Sequence, residues 1–197
     1  KNQKNQPSLI LKSSVGSCSY SSREELLKRV KTLRKTVNST NLPNIYIMNG
    51  DLSDSEMNEL YNHPKVKAMV SFTKGEGYGR PLLEFSATGK PIIASGWSGQ
   101  VDFLHPEKTF LIGGELESVH ASAANKWILK ESQWFKPDHG IVGSILKDMY
   151  KNYKNYVVRG KQQGHHSRTN FSFIKMTELL GTYLDKYVKV AAEVELQ

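Results

Sequence analysis

The stretch from Val66 to Ser95 constrains the fold more than any other part of the chain. The apolar run from Val66 to Phe72 reads as a buried strand, and Pro91-Ile92-Ile93-Ala94-Ser95 reads as another. Between them lies a loop with glycine at every second position, Gly75, Gly77 and Gly79, and then a helix from about Pro81 to Thr88. Pro81 suits a first helical turn, where its missing N–H is not needed. Gly89 stands where a left-handed residue ends a helix, and Pro91 follows it.

The same alternation continues upstream. Ser8-Leu9-Ile10-Leu11-Lys12 is a short strand. Ser13 to Ser22 is a Ser/Gly-rich loop, and Ser22 is the expected N-cap of a helix with Glu24 and Glu25 in its first turn. Leu26, Leu27, Val30, Leu33 and Val37 follow at helical spacing. Ile45-Tyr46-Ile47-Met48 is the next strand. Ser53 with Glu56 forms a capping box for a short helix that His63-Pro64 stops. Thr109 to Ile112 is a fifth candidate strand. Strands alternating with helices define an α/β class with a Rossmann-like, mainly parallel sheet and flanking helices. The last third reads as helices instead: Ile141 to Tyr153, Tyr156 to His166, and Phe171 to about Val190. In the last of these, Phe173, Met176, Leu180, Tyr183, Leu184 and Tyr187 make one apolar stripe, expected to be core. Residues 1–197 are expected to form a single domain.

In open α/β sheets a loop between a strand's carboxyl end and the next helix is where ligands bind. Glycines let the backbone approach a ligand closely, and the N–H groups at the start of the following helix favour an anion such as phosphate. Glu76 lies in the loop and Glu84 one turn into the helix. A carboxylate can accept two hydrogen bonds from a vicinal diol. Glu84 is therefore placed to hold ribose hydroxyls, and Glu76 a hydroxyl of a second sugar. Phosphate, ribose and hexose in one cleft describe a nucleotide sugar. The plainer alternatives are a glycine turn with no ligand and a Glu84 that only favours the helix start. The spacing fits neither the P-loop nor G-x-G-x-x-G.

Composition removes several classes. At 38% apolar and 23% charged residues, the chain is globular rather than disordered. No apolar run approaches the roughly 20 residues of a membrane span, and the polar start does not read as a secretory leader. The single cysteine, Cys18, suits a reducing compartment, so a cytoplasmic location is expected. The net charge of +8 favours anionic partners. It is compatible with peripheral contact to an anionic membrane. Clusters such as Lys28-Arg29-Val30-Lys31 alternate with apolar positions as a solvated helix face does. No basic stripe with stacking aromatics points to nucleic acid.

The run Glu76-Gly77-Tyr78-Gly79-Arg80-Pro81-Leu82-Leu83-Glu84, continuing through Phe85-Ser86-Ala87-Thr88-Gly89-Lys90-Pro91-Ile92-Ile93-Ala94-Ser95, resembles the signature of group 1 (family 4) glycosyltransferases. That signature is E-G-F-G-x-P-x-x-E, a small-residue helix, and G-x-P-V-I-A-S. Gly50 to Met57 resembles the family's G-x-v-s-d-x-e-l turn, and Leu60-Tyr61 its l-Y pair. Trp134 with Pro137-Asp138 resembles a W-x-x-P-D element. The resemblance implies one half of a GT-B fold, the C-terminal donor-binding part. It implies transfer of a sugar, mostly with retention, from a nucleoside diphosphate sugar to a glycan, lipid or other hydroxyl acceptor, without metal or cofactor. By position Glu84 would hold the donor ribose and Glu76 the transferred sugar. Gly77, Tyr78 and Gly79 would bring backbone N–H groups to the sugar or diphosphate, with Gly75 opening the loop.

The family's Arg and Lys after the first strand have no counterpart here. Lys1 and Lys4 fall in a polar stretch that reads as the end of a helix. The first strand, its basic loop and the acceptor domain are therefore expected to lie outside this chain, and the stretch alone to be inactive. Arg80 is a candidate phosphate ligand, with a surface role equally open. Gly96 to Asp102 resembles the family's glycine-rich turn, and either lines the donor site or is a tight turn with a packed Trp97. Adjacent His165 and His166 point apart on a helix, so solvent exposure rather than a metal site is expected. Another GT-B enzyme, such as an epimerase or a phosphorylase, stays open, as do a non-catalytic domain binding a phosphorylated ligand and a homo-oligomer.

Overall fold

The computed structural model describes residues 6–13, 19–39 and 41–188. Lys1, Lys4, residues 14–18 of the Ser/Gly-rich loop, Cys18 among them, and the end of the last expected helix lie outside them. The chain divides into two compact units, Lys1–Leu60 and Tyr61–Gln197.

In the first unit, β1 (Leu9–Lys12) pairs in parallel with β2 (Ile45–Met48), Leu9 opposite Ile45 and Lys12 opposite Met48. The crossover between them is α1 (Tyr20–Thr36). Its N-cap is Ser19 and not Ser22. Ser19 has the extended backbone a cap requires, and its Oγ accepts from Ser22 N–H at 3.2 Å while Ser22 itself is buried. Glu24 and Glu25 consequently fall beyond the first turn, and Glu25 instead accepts from Arg29 Nε at 3.0 Å. The capping box at the start of α2 (Asp54–Asn62) forms as expected. Ser53 N–H donates to Glu56 Oε2 at 2.7 Å, and Glu56 N–H to Ser53 Oγ at 3.3 Å. These bonds favour the charged carboxylate and hold the Glu56 pKa below its ordinary value.

In the second unit a parallel sheet has the order β3 (Met69–Ser71), β4 (Ile92–Ser95), β5 (Phe110–Ile112). Every residue of the central strand β4 is buried, as a parallel strand covered on both faces must be. Leu82 and Phe85 of α3 (Arg80–Ser86) join Phe103, Leu104 and Ile112 in the core beside it. Gly89 is left-handed at φ 73°, as its place after the helix requires. An antiparallel pair absent from the sequence reading follows, β6 (Gly114–Ser118) with β7 (Gln133–Pro137). Asp138 then caps α4 (His139–Lys151), accepting from Gly140 and Ile141 N–H.

α5 (Tyr153–Asn170) runs longer than expected in both directions and meets α3 through glycine. A Cβ on Gly160 would stand 2.7 Å from Gly89 O, and one on Gly164 2.8 Å from Gly89 Cα. Backbone-to-backbone packing of this kind buries Ser86, Ser167 and Gln163 together, so their polar atoms pair. Ser86 Oγ donates to Ser167 Oγ at 2.7 Å, while Gln163 Nε2 donates to Phe103 O and its Oε1 accepts from His105 N–H. His165 is exposed, but His166 is half-buried against His105 and Phe171. Burial, then nearby Lys108 and the two other histidines, lower its pKa.

The stripe on α6 (Phe173–Tyr187) is not core. Phe173 is 87% exposed, Leu180 57% and Tyr187 68%, and nothing on the helix is buried. Periodicity reports that a helix has an apolar side and not what covers it. Among the described residues no helix is long and apolar enough to cross a membrane.

Candidate functional site

The glycine loop leaves β3 and returns into α3, and three segments hold it in place. Ser95 Oγ, at the end of β4, donates to Thr73 O at 3.0 Å. Phe135 N–H, on β7, donates to Lys74 O at 3.0 Å. The turn after β4 makes the closest approach. Ser98 Oγ accepts from Glu76 N–H at 3.1 Å and donates to Glu76 O at 2.6 Å, which also accepts from Gly99 N–H at 3.1 Å. Reaching this position puts Ser98 at φ 73°, left-handed for a residue that carries a Cβ. Gly99 has no room for one: a Cβ there would stand 2.3 Å from Gly77 O and 2.7 Å from Tyr78 Cα.

Glu76 is therefore fixed by its backbone while its side chain is half-buried at the loop. Beyond it Tyr78 packs its ring on Phe103 at 5.2 Å, half exposed. Partial burial, then the Asp102 carboxylate, raise the Tyr78 pKa and keep the phenol neutral. Gly79 turns the chain into α3 at φ 89°, with Gln100 Cβ 3.3 Å from where its own Cβ would be. Nothing lies within 4 Å of a Cβ on Gly77. The N–H groups of Gly77, Tyr78 and Gly79 have no protein acceptor among the described residues.

The helix start offers less than the sequence promised. Leu82 and Leu83 N–H both turn back to Gly79 O, at 2.9 and 3.2 Å, and Pro81 has no N–H. The Leu83 bond is the first ordinary one of the helix, while the Leu82 bond uses an amide that was expected to face a ligand. The donors for an anion are thus those of the loop. Arg80 and Glu84 find each other one turn apart, Arg80 Nε donating to Glu84 Oε1 at 2.5 Å. One face of α3 thus carries a guanidinium and a carboxylate together.

The β6–β7 pair brings charge to the other end of the loop, which the sequence reading did not foresee. Lys74 Nζ stands 3.2 Å over the Trp134 ring and 3.8 Å from Glu117 Oε1. Trp134 Nε1–H donates to that same oxygen at 3.1 Å, and Lys136 Nζ lies 3.3 Å from Glu117 Oε2. The Lys136 contact above all holds the Glu117 pKa below its ordinary value. Among the described residues no group of three His, Cys, Asp or Glu could hold a metal ion.

The family model described as glycosyl transferases group 1 matches residues 26–138, more than half of the chain. The chain belongs to this family. Its fold is similar to that of HepE from Anabaena in complex with UDP-glucose, at 14% identity and a TM-score of 0.61, over 91% of this chain and 41% of that one. The same protein in complex with UDP and glucose gives 13% identity and a TM-score of 0.61, over 91% and 40%. The fold is thus one half of a GT-B glycosyltransferase, and the chain spans about 41% of the length of HepE. No curated protein matches the chain.

Proposed function

We propose that the chain is a donor-binding domain, spanning residues 1–197, of a hexosyltransferase-type glycosyltransferase. The transferred sugar leaves a nucleoside diphosphate and joins a hydroxyl acceptor with retention at the anomeric carbon. The observation that carries the reading is the loop itself. Glu76 is pinned by Ser98 and Gly99, and Glu84 lies one turn along α3. Between them are the amides of Gly77, Tyr78 and Gly79, with no protein acceptor among the described residues. Amides at rigid glycines stabilise a diphosphate as its charge develops. Glu84 takes the ribose diol, Glu76 a hydroxyl of the transferred sugar, and Arg80 a phosphate oxygen.

In this reading the bond from the anomeric carbon to the diphosphate oxygen breaks and one to the acceptor oxygen forms. The acceptor proton passes to the leaving diphosphate. No resident metal or cofactor takes part. UDP-glucose, bound by HepE, is the first donor to try. Calorimetry of a panel of nucleoside diphosphates and their sugars, on the wild-type chain and Glu84→Ala, tests the reading. Saturable binding of one nucleotide, lost in the variant, supports it. Binding that the variant keeps removes Glu84 from the site.

A further inference from the structure

The indole of Trp97 lies parallel to the ring of Phe135, with 7° between the planes and 5.9 Å between centroids. Phe135 is buried in β7. Trp97 precedes Ser98, whose hydroxyl bridges the N–H and C=O of Glu76. The indole is held by a ring on one side and by the anchor of the glycine loop at its own backbone. It nevertheless remains 42% exposed. Trp134, one residue before Phe135, is spoken for: Lys74 covers its ring and Glu117 takes its N–H.

The anchors locate Trp97 along the loop. Phe135 bonds Lys74 and Ser98 bonds Glu76, so the Trp97–Phe135 pair belongs to the Glu76 end. The Glu84 end is separated from it by Tyr78, which packs on Phe103. The part of this indole left open to water beside a polar loop is apolar surface that a ligand can cover. The face of an aromatic ring is negative, so it favours C–H groups that carry partial positive charge. A ligand suited to this corner has an apolar C–H face and a rim of hydroxyls within reach of a carboxylate.

We infer that Trp97 is a stacking platform for a pyranose ring at the Glu76 end of the loop. The inference rests on the donor-binding reading of that loop and names the side chain that grips the sugar. The ring belongs either to the donor's transferred sugar or to the acceptor sugar.

Calorimetric titration of the 197-residue chain as wild type, Trp97→Phe and Trp97→Ala decides between them, with thermal melts by circular dichroism to establish folding. The probes are UDP-glucose, GDP-mannose and ADP-glucose, the matching free diphosphates, and methyl α-glucoside and methyl α-mannoside. For a donor sugar, Trp97→Ala weakens the bound sugar nucleotide about tenfold and leaves the free diphosphate unchanged. For an acceptor sugar, it abolishes methyl glycoside binding and spares the sugar nucleotide. Trp97→Phe, which keeps an aromatic face on Phe135, retains most of the affinity in both cases; Trp97→Leu, which keeps apolar bulk there without that face, shows the losses of the alanine variant and decides the matter if the latter does not fold. Unchanged affinity for every probe in a folded Trp97→Ala overturns the inference. So does an equal loss for the free diphosphate, which would assign Trp97 to the base. If the wild type binds neither diphosphate nor sugar nucleotide, the donor-binding reading fails, and the glycoside titration alone decides Trp97. Glycoside binding that the alanine variant loses sustains the platform, and its absence in the wild type overturns it.

Discussion

Ser98 Oγ sits between the N–H of Glu76 at 3.1 Å and its C=O at 2.6 Å, 22 residues away in sequence. One hydroxyl thus bridges the backbone N–H and C=O of Glu76, and it does so from a left-handed backbone. The two effects oppose each other. The hydrogen bonds contribute about 0.5–1.5 kcal/mol each, and the backbone conformation costs about 1–3 kcal/mol. Ser98→Ala keeps the cost and loses the bonds, so it destabilises by about 1–2 kcal/mol. Ser98→Gly loses both and stays closer to wild type. Urea unfolding midpoints in the order wild type, Ser98→Gly, Ser98→Ala are expected, and the reverse order for the two variants would count against the clamp.

Gly99 and Gly77 separate what the loop needs for folding from what it needs for binding. A Cβ on Gly99 meets the backbone of Gly77 and Tyr78, which cannot give way without moving the loop. Gly99→Ala therefore costs about 1–3 kcal/mol of stability and donor affinity with it. A Cβ on Gly77 meets nothing. Gly77→Ala leaves the melting temperature close to wild type, yet in the proposed site its methyl group occupies the space through which a diphosphate would approach the amides. Calorimetry beside thermal melts distinguishes the two, and a Gly77→Ala chain with full nucleotide affinity would show that the ligand does not approach there.

Arg80 and Glu84 form an exposed pair, and such pairs contribute about 0.3–0.5 kcal/mol on a helix. Loss of the Glu84 contact itself in Arg80→Ala accounts for no more than that in unfolding free energy. In the proposed site the guanidinium leaves Glu84 for a phosphate oxygen when the donor's ribose takes the carboxylate. Arg80→Ala then weakens the diphosphate about tenfold, the worth of one charge-assisted hydrogen bond, and leaves the matching nucleoside unaffected. Stronger binding of both would mean that Arg80 only competes for Glu84.

The loop and its flanking strand and helix were legible because local rules decide them: glycine spacing, Pro81 at a helix start, and Gly89 in the left-handed turn. The Ser53–Glu56 capping box belongs to the same class. What holds the loop was not legible. Ser98, Gly99, Phe135 and Lys74 act across 20 or more residues, and the β6–β7 pair has neither a tight turn nor a clean alternation to announce it. The Gly96 to Asp102 turn was visible as a turn, but a left-handed serine gives no sign in sequence. The α6 stripe failed for a different reason, since periodicity identifies an apolar side and is silent about its partner.

Glycine in a helix interior gave no warning either, although Gly160 and Gly164 decide how α5 meets α3. Alanine at an unconstrained helical glycine stabilises by about 0.5–1 kcal/mol, because the unfolded chain loses freedom. Gly143, in α4, has nothing within 4 Å of a Cβ and should follow that rule. Gly164 should reverse it. Its Cβ would stand 2.8 Å from Gly89 Cα, 2.9 Å from Gly89 N and 3.0 Å from Ser86 O, all of them backbone atoms. Helix α5 must then lift from the Gly89 turn and loosen the buried Ser86–Ser167 bond, at about 1–3 kcal/mol. Urea denaturation of Gly143→Ala and Gly164→Ala should give midpoint shifts of opposite sign. A stabilised Gly164→Ala chain would mean that the two backbones are not in contact there.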